Sequence, residues 1–235
     1  MLTFLPYPAT PHVAAANRPA ANRIEGRGAP AAWSLTPRTE ALRARLREAG
    51  ARLYALHGID GVSISDIAMA ATIAPGSAAH AFPRRRDLLF DIAHAHVDAL
   101  HEYVGRAGDA LADAAPRERL EAMALALLDA MFEQRDAHRV TILAEPSLTV
   151  EQRDLLRFRM RTLAHRIAAV VADTLPALAG RREYQAPLTR MLMAMAADAP
   201  AWFRENGTLT RRDYARLIVR GVVNGGDAML AAEAA

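Results

Sequence analysis

The 235-residue sequence contains no cysteine and no lysine, and aromatic residues make up only 6% of it. Without cysteine there are no disulfides and no thiolate metal sites, which sets aside the small cross-linked secreted scaffolds and the zinc modules. Without lysine, all 29 strongly basic side chains are guanidiniums, planar and permanently charged, and so matched to phosphate and carboxylate oxygens. Strand-forming runs of Val, Ile, Thr and aromatics are scarce, and no apolar run reaches the ~18 residues of a membrane span. The opening MLTFLPYP is too short and too broken by proline for the apolar core of a secretory signal. A soluble, cytoplasmic, helical chain is the expectation.

What is present agrees with that. Hydrophobic residues, alanine foremost, make up 52% of the chain, while glycine and proline mark segment ends rather than filling segments. The length suffices for a real core and for one or two domains. The net charge of +3 is unevenly placed. Residues 37–90 hold eight arginines (Arg38, Arg43, Arg45, Arg47, Arg52, Arg84, Arg85 and Arg86) against five acids, and residues 1–36 add three arginines against Glu25, so the remainder is mildly acidic. A basic front on an acidic back suits an anion-binding module joined to something else.

Residues 1–36, rich in Ala, Pro, Asn and Arg without periodicity, are expected to be a disordered leader. From Pro37 the pattern turns helical. Leu42, Leu46, Ala49, Leu53 and Leu56 predict one apolar face, closed by Gly58 as a C-cap. Ser63 with Asp66 three residues on is a capping-box signature, and Ile64, Ile67, Ala68 and Ala71 supply the buried face behind it. Thr72 to Ala74 predict a turn, Pro75 opens a second short helix, and Phe82-Pro83 closes it. Longer helices are predicted from Arg86 to about Gly105, from Pro116 to about Gln134, from about Ala137 to Ala144, from Thr149 to about Leu175, from about Ala186 to Arg204, and from Thr210 onward. That makes about nine helices and no sheet: an all-α chain.

A short capped helix, a tight turn and a second short helix beginning Pro-Gly form a helix-turn-helix pattern. A helix that enters the major groove must present small or polar residues, and Gly76, Ser77, Ala78, Ala79 and His80 do so. The helix before it would brace it through Ile67 and Ala71 against Ile73, Ala78 and Phe82.

The run from Arg43 to Leu89 resembles the tetracycline-repressor (TetR) family of bacterial regulators. The resemblance rests on Leu46, Ala49, Leu53-Tyr54 and Gly58, on GIDGVSISDIA, and on Ile73, Pro75-Gly76-Ser77, Phe82, Arg85 and Leu88-Leu89. It implies a helix-turn-helix domain at 37–90 and a ligand-binding and dimerisation domain at 91–235, paired through the last two long helices. It also implies that Ser63, Ser77 and Arg85 contact the DNA backbone. The sequence departs from the family where Thr72 stands for the usual glycine, Ala74 for a polar cap, and Ala79 for a phosphate-contacting tyrosine.

Residue chemistry nominates His80 as the base or phosphate reader, with Arg84 and Arg86 flanking Arg85. Arg43 and Arg45 are candidates for neighbouring phosphates, and Ala78 or Ala79 for contact with thymine methyls. Met123, Leu127, Met131, Met160, Met191, Met195 and Trp202 are the candidates to line an apolar effector pocket. His138, Arg139, His165 and Arg166 either orient an anionic head group or face solvent. Leu217, Gly221, Gly225 and Met229, at four-residue spacing, predict a close-packed dimer stripe. His94, Asp98 and His101 share a helix face at a spacing that surface histidines reproduce easily, so no metal site is expected. No nucleophile elbow, phosphate-cradling loop or metalloprotease histidine pair is found, so no enzyme, catalytic residue or cofactor is expected. The expected function is ligand-responsive transcriptional regulation, most simply repression relieved by a small hydrophobic effector. The partners are then double-stranded operator DNA, that effector and a second copy of the chain, with no membrane. The competing reading is a carrier of small molecules or lipids that keeps the fold and has lost DNA binding.

Overall fold

The computed structural model of the protein describes residues 37–233, apart from residue 179; the expected leader at 1–36 lies outside the described residues. Among the described residues there are nine α-helices and no strand: α1 (Pro37–His57), α2 (Ile64–Ala70), α3 (Pro75–Ala81), α4 (Arg85–Ala110), α5 (Pro116–Glu133), α6 (Arg135–Ala144), α7 (Val150–Thr174), α8 (Arg182–Trp202) and α9 (Arg211–Glu233).

Their starts are written in side-chain chemistry. The Ser63 hydroxyl accepts from the Asp66 amide at 3.1 Å while the Asp66 carboxylate accepts from the Ser63 amide at 2.9 Å, closing a capping box on α2. Those bonds to Ser63, side chain first and then backbone, hold the Asp66 carboxyl below its ordinary range. Thr149 and Gln152 repeat the device on α7, and Thr210 and Asp213 repeat it on α9. Pro75 and Pro116 occupy first-turn positions, where a missing N–H costs no helical bond.

Two boundaries differ from expectation. Helix α4 runs past Gly105 to Ala110, because its glycines are packing positions rather than stops. A Cβ at Gly105 would stand 2.9 Å from the Arg166 guanidinium, and one at Gly108 would stand 3.3 Å from the Met123 sulfur. Helix α8 begins at Arg182, a turn before Ala186, and carries Pro187 near its start. Leu56 is also corrected: it is 72% exposed, and the buried line of α1 runs through Leu46, Gly50 and Tyr54 at i, i+4 spacing, which turns position 56 away.

Two apolar cores result. The first gathers α1, α2 and α3 around Leu46, Tyr54, Ile67 and Phe82, and it also takes in Val140 and Ala144 of α6 and Leu156 of α7. The second is built from α5, α7, α8 and α9 around Leu127, Leu163, Leu192 and Val222. Helix α4 serves both: Leu88, Leu89, Ile92 and Val97 lie in the first, and Leu100 and Val104 lie in the second. The domain boundary expected at 90/91 therefore falls inside a continuous helix.

Candidate nucleic-acid interface and sensing core

Helix α3 stands on the first core through Ala78, which is fully buried, and Phe82, which is nearly so. Ser77, Ala79 and His80 are exposed on its outer side. Ala78 is therefore withdrawn as a thymine-methyl contact, and Ala79 is the methyl that faces out. Ahead of Pro75, the N-cap position of α3 is held by Ala74, which supplies no side-chain cap.

The turn leading into it is a Schellman motif. The Ile73 amide donates to the Ala68 carbonyl at 2.8 Å, and the Thr72 amide donates to the Met69 carbonyl at 3.0 Å. Such a motif needs a left-handed residue after the helix cap, and Thr72 supplies it at φ 55°. A β-branched residue is strained there, and glycine is the usual solution.

The arginines divide into two sets. Arg84 reaches Asp87 at 3.3 Å, Arg85 reaches the fully exposed Asp60 at 3.3 Å, and Arg86 forms no ion pair among the described residues. All three sit at the start of α4, directly after α3, and form a cationic edge. Arg43 turns inward instead, which corrects its expected place at the DNA, whereas Arg45 stays exposed and lies along the turn before α3. Arg43 donates to the Ala81 carbonyl at 3.2 Å and to Asp91 at 2.7 Å, with its guanidinium 4.3 Å above the Phe82 ring. Arg45 donates to the Ala71 and Thr72 carbonyls. Their targets explain the difference: the carbonyls that close α2 and α3 lack helical donors and lie within reach of α1.

In the second core, Met123, Leu127 and Met131 are packed side by side at no more than 1% exposure. Met160 and Met195 are half-buried at its edge. Met191 and Trp202, expected beside them, are each 52% exposed on the outer face of α8. Their residue type made them pocket candidates, but the side of α8 they occupy faces away from this chain's own core. Leu217, Gly221, Gly225 and Met229 form an exposed line along α9, and a Cβ added at either glycine would meet nothing within 4 Å. Each of the two terminal long helices thus exposes apolar or small residues: Met191 and Trp202 on α8, and the Leu217–Met229 line on α9.

The polar candidates also sort themselves. His165 and Arg139 are exposed, and Arg166 pairs with Asp109 at 2.5 Å. His138 is a correction: it is buried, bonded to the Ala197 carbonyl at 2.9 Å and to His96 at 3.1 Å. His96 was not a sequence candidate, since a lone histidine on an apolar helix face gives no sign of its partner. Of the histidine-carboxylate face on α4, Asp98 pairs with Arg159, and the His101 Nε2–H donates to the Arg159 carbonyl at 2.8 Å. A polar groove of about 340 Å³ lies between α1 and α4, lined by residues that include Glu40, Arg47, Asp91, His94, Asp98 and Glu102.

A helix-turn-helix braced on one core, with its supporting helix running into a second, larger helical core, defines a two-part all-α regulator. Residues 46–92 match the model of bacterial regulatory proteins of the tetR family, and residues 113–225 match a tetracyclin repressor-like C-terminal domain. The chain belongs to the TetR family. Among solved structures it is similar to a TetR-family transcriptional regulator from Bordetella parapertussis, at 23% identity over 78% of this chain and 94% of that one, with a TM-score of 0.69. It is similar to the TetR family regulator PfmR from Thermus thermophilus, at 20% identity over 77% and 97%, with a TM-score of 0.67. It is also similar to AibR in complex with isovaleryl coenzyme A and operator DNA, at 22% identity over 76% and 96%, with a TM-score of 0.63. No curated protein matches the sequence.

Proposed function

We propose that this protein is a homodimeric, ligand-responsive DNA-binding regulator, acting in the cytoplasm as a repressor that a small hydrophobic effector releases from its operator. The observation that carries the reading is α4. One unbroken helix has its first half in the helix-turn-helix core and its second half in the sensing core. A stiff helix shared by two cores converts rearrangement in one into rotation of the other. An effector that favours one packing of the second core therefore changes the aim of α3, and by linkage DNA changes the affinity for effector equally.

On this reading residues 37–90 read DNA, and residues 91–235 sense and pair. Ser63, Ser77 and the Arg84–Arg86 edge hold phosphates, and His80, with Ala79 beside it, faces the base edges. Met123, Leu127 and Met131, with Met160 and Met195 at the margin, are the apolar walls that an effector must part. Two copies joined through α8 and α9 set the paired recognition helices about 34–36 Å apart, one turn of B-DNA. AibR, bound to both an acyl-coenzyme A and operator DNA, supports the pairing of these two activities in one such fold.

The test is selection of duplexes from a randomised pool by the full-length chain, followed by binding titrations over a range of salt. The expected result is enrichment of a two-fold symmetric site whose affinity falls steeply with salt. Failure to enrich any duplex at low salt, with a small molecule still copurifying, overturns the regulator in favour of a carrier.

A further inference from the structure

The recognition helix makes few attachments of its own: it has no side-chain cap at its start and only alanines and His80 along its second half. Helix α1 makes up the difference. Arg45 places its guanidinium on the Ala71 and Thr72 carbonyls, at the turn that leads into α3. Two residues earlier, Arg43 places its guanidinium on the Ala81 carbonyl, at the last residue of α3, and against the Phe82 ring that follows. One helix thus holds both the turn that enters the seven-residue α3 and the last residue of α3 itself.

We propose that Arg43 and Arg45 are positioning residues for DNA reading, an internal clamp that fixes the aim of α3 and holds Thr72 in its left-handed conformation. This rests on the DNA-binding reading above and assigns these two cations a role other than phosphate contact. The Schellman bonds satisfy the Ala68 and Met69 carbonyls but not that of Ala71, which lies at the negative end of the helix dipole, so a guanidinium is its natural partner. A threonine at φ 55° favours other conformations unless its surroundings over-determine it, and a donor on the carbonyl of that very residue does so. A helix that contributes few direct contacts also depends more on its placement, since each remaining contact must fall within hydrogen-bond reach.

Clamp and phosphate contact are distinguished by rescue and by salt. The probe is the duplex that the wild-type chain enriches from a randomised pool, and the variants are R45A, T72G, R45A/T72G and R85A. If Arg45 acts by holding Thr72, R45A weakens binding about tenfold by the same factor at every salt concentration. T72G then restores most of that loss in R45A/T72G, because glycine adopts the turn unaided. R85A instead lowers the slope of affinity against salt by about one, as removal of a phosphate contact does. R45A that flattens the salt slope as R85A does, with no rescue by T72G, overturns the proposal. A second readout needs no DNA: R45A lowers the thermal midpoint, and T72G raises it less in the R45A background, where Thr72 is free to relax, than in the wild type, where the clamp holds it strained. Purely additive midpoints also overturn the clamp. Should R45A fail to fold alone, a folded R45A/T72G supports the proposal and an unfolded one overturns it. Failure of the wild-type chain to enrich any duplex strikes the DNA-binding reading itself, and the thermal cycle still decides the coupling.

Discussion

His96 on α4 and His138 on α6 form a buried imidazole pair, with Nε2 of the first 3.1 Å from Nδ1 of the second. The far nitrogen of His138 faces the Ala197 carbonyl of α8 at 2.9 Å, so it must carry the proton. Nδ1 of His138 is then the acceptor and His96 the donor. Nδ1 of His96, then without a proton, lies 3.1 Å from the Gln134 side-chain oxygen, and turning that amide to present its N–H closes a chain linking α4, α6 and α8. Alongside it, Arg135 donates to the Pro200 carbonyl at 2.9 Å, so α6 is tied to the end of α8 at two points.

Both rings are neutral in the fold. Burial pushes His96 down to about 4, with the neighbouring His138 adding to the effect and Gln134 opposing it, and burial lowers His138 as well. Above about pH 6.5 the pair is uncharged whether folded or unfolded and contributes no pH dependence. As pH falls from there toward 4, the unfolded chain takes up protons that the folded chain refuses, so stability falls. Urea midpoints should therefore decline between pH 6.5 and 5, above the range in which the capping carboxylates Asp66 and Asp213, themselves lowered, begin to protonate. A midpoint flat across that window, or one equally steep in His96→Gln, contradicts this account.

Tyr54 carries a different burden. Its ring fills the first core, but its hydroxyl is buried and has no hydrogen-bond partner among the described residues. Burial pushes the phenol up to about 12, with the charge of Arg85 opposing. An unpaired buried hydroxyl costs stability, so Tyr54→Phe should leave the fold unchanged or stabilise it by about 1 kcal/mol in chemical denaturation. A loss of that size would reveal a bond to the hydroxyl and refute the assignment.

Much of the fold was legible because its helix starts are chemically marked. Ser63 with Asp66, Thr149 with Gln152, Thr210 with Asp213, and the two first-turn prolines each satisfy or omit an amide that needs satisfying, and that need is local. Gly105 reads as a stop for the opposite reason. A glycine that ends a helix and one that admits a neighbour look alike until the neighbour, here Arg166, is in place. The candidate interface divides along the same line. Ser77, Ala79, His80 and Arg84 to Arg86 are outward because a short helix standing on Ala78 and Phe82 leaves them no other side. Arg43 goes elsewhere because charge in a sequence does not tell a guanidinium bound for solvent from one bound for a carbonyl 38 residues away. Met191 and Trp202 show that residue type identifies an apolar side chain without naming what covers it.

Asp91 is where the lever and the recognition helix meet. It accepts from Arg43 at 2.7 Å and from Arg47 at 3.0 Å, and Arg47 also reaches Glu40 at 2.7 Å. The Asp91, Arg43 and Arg47 side chains are roughly four-fifths covered, so loss of the carboxylate leaves two guanidiniums partly desolvated. Asp91→Ala should destabilise the protein by about 1–2 kcal/mol after allowance for solvent screening. Because Arg43 then grips Ala81 without its anchor on α4, DNA affinity should fall as well, with the salt slope unchanged. A stable variant with wild-type DNA affinity would show that α4 moves α3 by another route.

The exposed apolar line on α9, proposed above as the pairing surface, makes the last prediction, and glycine gives it a clean form. Gly221 and Gly225 lie inside α9 with open space where a side chain would project, so a larger residue meets no atom of its own chain. Within a single copy, Gly225→Arg should even favour the helix, by about 1 kcal/mol, since glycine is the weaker helix former. Against a second copy packed on the Leu217–Met229 line, the same arginine is a steric and electrostatic obstacle. Light scattering should show the wild type at twice the chain mass and Gly225→Arg at the chain mass, with the helical circular dichroism preserved. DNA binding should fall with it, because a symmetric site then loses half of its contacts. Retention of the doubled mass in both Gly225→Arg and Leu217→Arg would move the dimer contact off α9 and leave its exposed apolar line without a partner.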